Sequence, residues 1–179
     1  MAVVDLRLPT ALLLLLLSAV QYSSADLNFI YAVCSDLPLH HEPDACVRLL
    51  KLDQRSYNAT TQEELSSIAL DIVSKNYTRT RDFLHEMAIQ HHGEPIQIPC
   101  DKCVYYYNVS LPKLYNAQAI LEKKAYHDAL LLVHQAADAP SICDSGFSDA
   151  DIPSPVQQTD ADLLVDSQVT QDLIRLNFS

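Results

Sequence analysis

Thr61 to Gly93 reads TQEELSSIALDIVSKNYTRTRDFLHEMAIQHHG, and the reading of this stretch decides the fold class. Thr61 followed three residues later by Glu64 is the pattern in which a hydroxyl and a carboxylate each accept an orphan N–H at a helix start. Behind it, Leu65, Ile68, Ala69, Ile72, Val73, Leu84 and Met87 recur at helical spacing. Gly93 and Pro95 then stop the run. The stretch predicts one long amphipathic helix from Thr61 to His91.

Working outward, a second long helix is expected from Pro99 to Lys124, carrying Cys103, Val104, Tyr107, Leu114, Ala117 and Leu121. Pro112 lies inside it, where a missing N–H should kink or split the helix. A third, Tyr126 to Ala137, offers Ala129, Leu130, Val133 and Ala137 to a core and ends before Pro140. Asp144 to Thr159 contains Gly146, Pro153 and Pro155 and reads as a loop. A fourth helix, Asp160 to Asn177, buries a set drawn from Leu164, Val165, Val169, Leu173 and Leu176. Upstream, residues 26–37 and 42–52 read as short helical pieces joined by a turn at Pro38 and Pro43. The two glycines, Gly93 and Gly146, both fall where a helix should end, and so few argue against an all-β domain. The fold class is all-α: an up-and-down four-helix bundle over residues 60–179, preceded by an N-terminal helical hairpin over 26–55.

Five cysteines bear on that architecture. A Cys34–Cys46 bridge would clamp the hairpin. Cys103 lies near the head of the second helix and Cys143 just past the tail of the third, so antiparallel packing brings the two within bridging range. The bundle is therefore expected to be disulfide-stabilised. Cys100 is left over, as a free thiol, a competitor for Cys143 or a partner for Cys103.

Bridges belong to an oxidising compartment, and the N-terminus provides a route there. Arg7 precedes an apolar run from Ala11 to Val20, and Ser23-Ser24-Ala25 gives the small residues of a cleavage site. Residues 1–25 thus read as a signal peptide, too short for a membrane anchor, and the mature chain as exported and free of the membrane. Sequons at Asn58, Asn76, Asn108 and Asn177 then mark candidate glycosylation sites, Asn177 the least favourable because it lies at the chain end. A formal charge of -11 and a pI near 4.8 exclude nucleic acid as a partner and suit a basic protein. Of the seven histidines, His85, His91 and His92 lie near the end of the first long helix and His127 and His134 on the third. None forms a His-Glu-x-x-His unit, and the cysteines lack zinc-ribbon spacing, so no metal or cofactor is expected. No Gly-x-Ser-x-Gly elbow or phosphate-binding loop points to an enzyme.

Cys103 followed by Tyr107, the run Leu130 to Ala137 leading into Ser141-Ile142-Cys143-Asp144-Ser145-Gly146-Phe147, and then Ser154-Pro155-Val156 resemble plant invertase and pectin methylesterase inhibitors. The resemblance covers essentially the whole mature chain. Cys143 to Phe147 is most similar to members classed as invertase inhibitors and pollen allergens, which have Cys-Glu-Asp-Gly-Phe there. The resemblance implies an inhibitor domain over 26–179 that is not an enzyme. It would be a monomer until it binds a secreted or vacuolar invertase, or a pectin methylesterase, one to one. The expected location is the apoplast, with the vacuole as the other destination.

Invertase inhibitors of this family put the loop between the second and third bundle helices into the enzyme's active site, often with a Pro-Lys-Phe motif. Here the stretch is Lys123-Lys124-Ala125-Tyr126, and the motif is absent. Lys123 or Lys124 would reach the carboxyl pair of a retaining glycosidase, with Tyr126 filling the sugar-binding surface. The same residues also read as solvated lysines at a helix end and a first core residue of the next helix. Inhibitors of pectin methylesterase instead lay bundle-helix faces over the substrate groove. A secreted helical signalling protein is the alternative from another class, but its bundle needs two long crossovers, and the links here at Gly93 to Pro99 and Lys124 to Ala125 are short.

Overall fold

The computed structural model describes residues 27–37 and 43–178, and among these every regular element is helical. The leader and the Pro38 turn lie outside the described residues. Residues 27–35 form helix α1, and α2 spans Pro43–Leu50, with Pro43 as its first helical residue, where a missing N–H costs nothing. A 3-10 turn, Gln54–Asn58, leads into α3, Gln62–Gln90. Then come α4, Gln97–Leu121; α5, Tyr126–Ala136; α6, Ala139–Asp149; and α7, Gln157–Arg175, closed by a 3-10 turn at Leu176–Phe178.

The start of α3 has the cap its sequence specifies. Thr61 Oγ1 accepts from Glu64 N at 3.2 Å, while Glu64 Oε2 accepts from Thr61 N at 3.2 Å and Thr60 N at 2.7 Å. The Thr60 N–H foremost holds the Glu64 carboxyl below its usual range. At the other end Gly93 adopts φ +84°, which an L side chain resists. α4 runs through Pro112 as one helix rather than splitting, with Pro112 on the exposed side.

The third expected helix is present as α5, but the bundle's third arm does not end with it. That arm is two helices, α5 and α6, and the stretch from Asp144 to Asp149, expected to be loop, is the second half of α6. Gly146 is accordingly inside a helix and not at its end. Pro140 explains both the break and the restart. Lacking an N–H, it cannot donate to the Ala136 carbonyl, and Tyr77 Oη donates there instead at 3.3 Å. Yet Pro140 sits in the first turn of α6, where that lack is harmless. Phe147 and Cys143 are then buried and hold α6 against the bundle.

α3 packs on α4 and α7, α4 on α5 and α6, and both of these on α7, which closes the up-and-down ring. Cys103 and Cys143 are joined with their Cα atoms 4.6 Å apart, pinning α4 to α6. Cys34 and Cys46 are joined at 5.6 Å and close the hairpin. Cys100 is a buried free thiol, its pKa pushed up by burial and then by Asp101. The hairpin buries Ile30, Leu49 and Leu50, and Arg48 reaches Asp166 at 3.2 Å and Asp162 at 3.4 Å on α7.

α7 is the element least like its hydrophobic pattern. Of the expected set Val169 and Leu173 are buried, whereas Leu164, Val165 and Leu176 are partly exposed; Leu163 and Ile174 take the remaining core positions. Along the same helix, Asp160, Asp166, Ser167, Thr170, Gln171 and Asp172 are buried too. Asp160, Asp166, Ser167 and Gln171 meet side chains of neighbouring helices, while Thr170 and Asp172 are engaged within α7. Tyr77 Oη lies 3.2 Å from Ser167 Oγ, Ser66 Oγ donates to Leu173 O at 2.9 Å, and Tyr107 Oη donates to Asp160 Oδ1 at 2.5 Å. The Tyr77 and Tyr107 rings meet edge to face, centroids 5.1 Å apart.

Candidate functional site

The corner between α4 and α5 is built by backbone hydrogen bonding. Lys124 N donates to Leu121 O at 2.9 Å and Ala125 N to Ile120 O at 3.3 Å, the paired bonds of a Schellman ending. Such an ending needs a left-handed residue, and Lys124 takes that place with φ 60°. Glycine usually occupies it, because a side chain there costs roughly 1–2 kcal/mol.

A partner holds the Lys124 side chain. Its Nζ lies 2.9 Å from Glu63 Oε2 in the first turn of α3, and that carboxylate raises the lysine pKa. The Tyr126 phenol is also pushed up, first by desolvation and then by Glu63, and its ring packs against the core at the start of α5. Glu63 therefore gathers two of the three candidate contact residues. Lys123 is exposed and pairs with no carboxylate among the described residues. On the same end of the bundle the His127 ring sits 6.5 Å from Phe178, which is 49% exposed, so an aromatic group borders the corner.

Glu63 and Phe178 escaped the sequence reading. A contact between positions 61 apart leaves no local signal. A phenylalanine in a short 3-10 turn has none of the periodicity by which core and surface are separated.

A second exposed surface runs along α4. Tyr105, Val109 and Tyr115 are 62%, 43% and 53% exposed, and Tyr115 Oη reaches Thr78 Oγ1 on α3 at 3.1 Å. Arg81 Nη1 donates to Asn108 Oδ1 at 3.4 Å across the same seam. Asn58 and Asn108 are exposed, Asn76 is half-buried, and Asn177 is half-buried with its amide nitrogen engaged. Among the described residues no group of three or more His, Cys, Asp and Glu side chains could hold a metal ion, and no helix is long and apolar enough to cross a membrane.

A helical ring pinned across two neighbours by one bridge, with a second bridge closing a hairpin packed on it, is a disulfide-stabilised helical bundle of one domain. The chain belongs to the plant invertase/pectin methylesterase inhibitor family, whose defining pattern matches residues 28–175. These are inhibitor proteins rather than catalysts. The fold is similar to a crystal structure of a mutant form of a pectin methylesterase inhibitor from Arabidopsis. That match has a TM-score of 0.59 at 16% identity and covers 81% of this chain and 89% of the other. A pectin methylesterase inhibitor from Arabidopsis thaliana gives 0.53 at 15% identity, over 84% and 91%. No curated protein sequence matches the chain significantly.

Proposed function

We propose that the protein is exported behind residues 1–25 and inhibits a plant acid invertase one to one, by setting the α4–α5 corner into the enzyme's active-site cleft. The observation that carries this reading is the unlike fate of two adjacent lysines. The backbone bonds at Lys124 and Ala125 fix the corner; Lys124 is tied back to Glu63, while Lys123 is left exposed with no carboxylate of its own among the described residues. An ammonium held out on a fixed corner is suited to a pocket with two carboxyl groups, where desolvation strengthens its charge-assisted hydrogen bonds. Tyr126 serves this arrangement from behind, as a packed support for the corner rather than as a free sugar-mimicking ring.

Pectin methylesterase is the second reading. The exposed row Tyr105, Val109 and Tyr115 favours it, since a helix face with aromatic groups suits a broad groove. The two readings use different surfaces and are separated by one assay. Purified mature protein is titrated against an acid invertase and a pectin methylesterase across mildly acidic to neutral pH, following sucrose hydrolysis and pectin demethylation. Stoichiometric loss of sucrose hydrolysis is expected. Inhibition of the esterase alone would replace the corner by the α4 face, and inhibition of neither by folded protein would remove both.

A further inference from the structure

The four sequon asparagines hold their amide nitrogens in unlike circumstances. Asn177 Nδ2 donates to Ser66 Oγ and Leu173 O at 3.0 Å each and to Ile174 O at 3.4 Å, fastening the end of α7 to α3. Asn76 and Asn108 lie within helices, and their carbonyl oxygens accept from Arg79 and Arg81 at 3.4 Å. Asn58 is the last residue of the 3-10 turn before α3, is exposed, and makes no side-chain hydrogen bond among the described residues. The chain leaves it in extended conformation, with Ala59 at φ -69° and ψ 137°.

Asn58 also lines a groove of about 570 Å³ between that turn, the first turns of α3 and the last turn of α4. Ile68 and Leu121 give the groove apolar surface, and Arg55, Glu63, Ser67 and Glu122 supply hydrogen-bonding groups. That mixture suits a pyranose ring, which has an apolar C–H face and a rim of hydroxyl and acetamido groups.

We propose that Asn58 carries an N-linked glycan whose inner sugars lie in this groove, and that Asn177 is left unmodified. The inference rests on export of the chain behind residues 1–25 and makes no use of which enzyme is inhibited. In the transfer step, Asn58 Nδ2 bonds to C1 of a sugar donated by a lipid-linked oligosaccharyl pyrophosphate. The C1–O bond to phosphate breaks, the lipid pyrophosphate leaves with the bonding pair, and the amide proton passes to a base, with no net oxidation or reduction. Transfer needs an accessible asparagine with a free amide nitrogen in extended chain, which the folded protein offers at Asn58 and Ala59 and withholds at the fastened Asn177; the sugar is then tethered at the edge of the groove. Through Glu63, which lines the groove and binds Lys124, the glycan borders the α4–α5 corner.

The test compares the full chain, wild type, Asn58→Gln and Thr60→Val, secreted from a plant cell host and from the oxidising periplasm of a bacterium that adds no glycan. Glycopeptides from the plant material are mapped after amidase release in heavy-oxygen water, which marks each formerly occupied asparagine. Asn58 is expected to be marked and Asn177 unmarked. Both substitutions should lower the melting temperature of the plant-made protein by about 2–4 °C. Asn58→Gln should leave the bacterial protein unchanged, and the bacterial Thr60→Val protein reads out any loss due to the Thr60 hydroxyl alone. An unmarked Asn58, a marked Asn177, or an Asn58→Gln shift that is absent or equal in the two hosts overturns the proposal.

Discussion

Asp160 should make this protein more stable in acid than at neutral pH. Its side chain is 2% exposed, and desolvation pushes its pKa from 3.8 to about 7, with Asp144 adding to the rise and the Tyr107 hydroxyl opposing it. Only Oδ1 receives a hydrogen bond; Oδ2 meets no donor. Asp166, equally buried, is pushed to about 6 by desolvation, with Asp162 raising it and Arg48 lowering it. The unfolded chain releases both protons near pH 4. Between about pH 4 and these raised values the folded state holds protons that the unfolded state has lost, so stability falls as pH rises. At about 1.4 kcal/mol per pH unit, the Asp160 rise corresponds to about 4 kcal/mol and that of Asp166 to about 3 kcal/mol. The opposite contribution comes from Asp53, held to about 2 by Arg55, and from Glu64 and Asp71, also lowered. It is lost only below about pH 4, which leaves a maximum near pH 4–5. The perturbation is Asp160→Asn, which can accept from Tyr107 and has no charge to bury. Urea unfolding followed by circular dichroism from about pH 4.5 to about pH 7.5 should show the variant roughly 2–4 kcal/mol more stable than wild type at the upper end and near equal at the lower. A wild-type stability that is flat or climbs over that range, or a variant weaker than wild type at neutral pH, refutes the reasoning.

Replacing Cys103 and Cys143 together by serine removes a bridge of sequence separation 40, worth about 4 kcal/mol in the chain-entropy account, and should appear as a large drop in urea midpoint. Thr61→Ala deletes the cap of α3 and should cost about 1 kcal/mol by the same measurement. Gly146→Ala should be neutral or stabilising by up to about 1 kcal/mol: the added methyl meets only the Lys102 side chain, which is free to move, and alanine favours the helix. In titrations against invertase, Lys123→Glu should weaken inhibition about tenfold or more, whereas Lys124→Ala should change it little, since its exposed ion pair with Glu63 is screened by solvent.

What was legible in the sequence was what local chemistry determines. α3 could be read end to end because Thr61 and Glu64 cap it and Gly93 reverses out of it. α6 could not, since a proline, three serines and a glycine look like loop; tertiary contacts override them, Tyr77 taking the carbonyl that Pro140 frees and Phe147 burying the chain. In α7 a search for leucines and valines passed over Asp160, Asp166 and Ser167, whose burial depends on groups brought by other helices. At the α4–α5 corner the sequence offered two equivalent lysines. Only the approach of Glu63, from the far end of the preceding hairpin of helices, makes them different.

The polar interior of α7 has a consequence for assembly. α3 reads Ser167 through Tyr77, α4 reads Asp160 through Tyr107, α5 meets Gln171 through His134, and α2 meets Asp166 through Arg48. An axial slip of one helical turn, about 5.4 Å, would part all four pairs at once while a greasy surface would hardly notice. α7, which leaves the ribosome after the helices it meets, is thus admitted at a single depth, like a key whose notches must meet four separate wards.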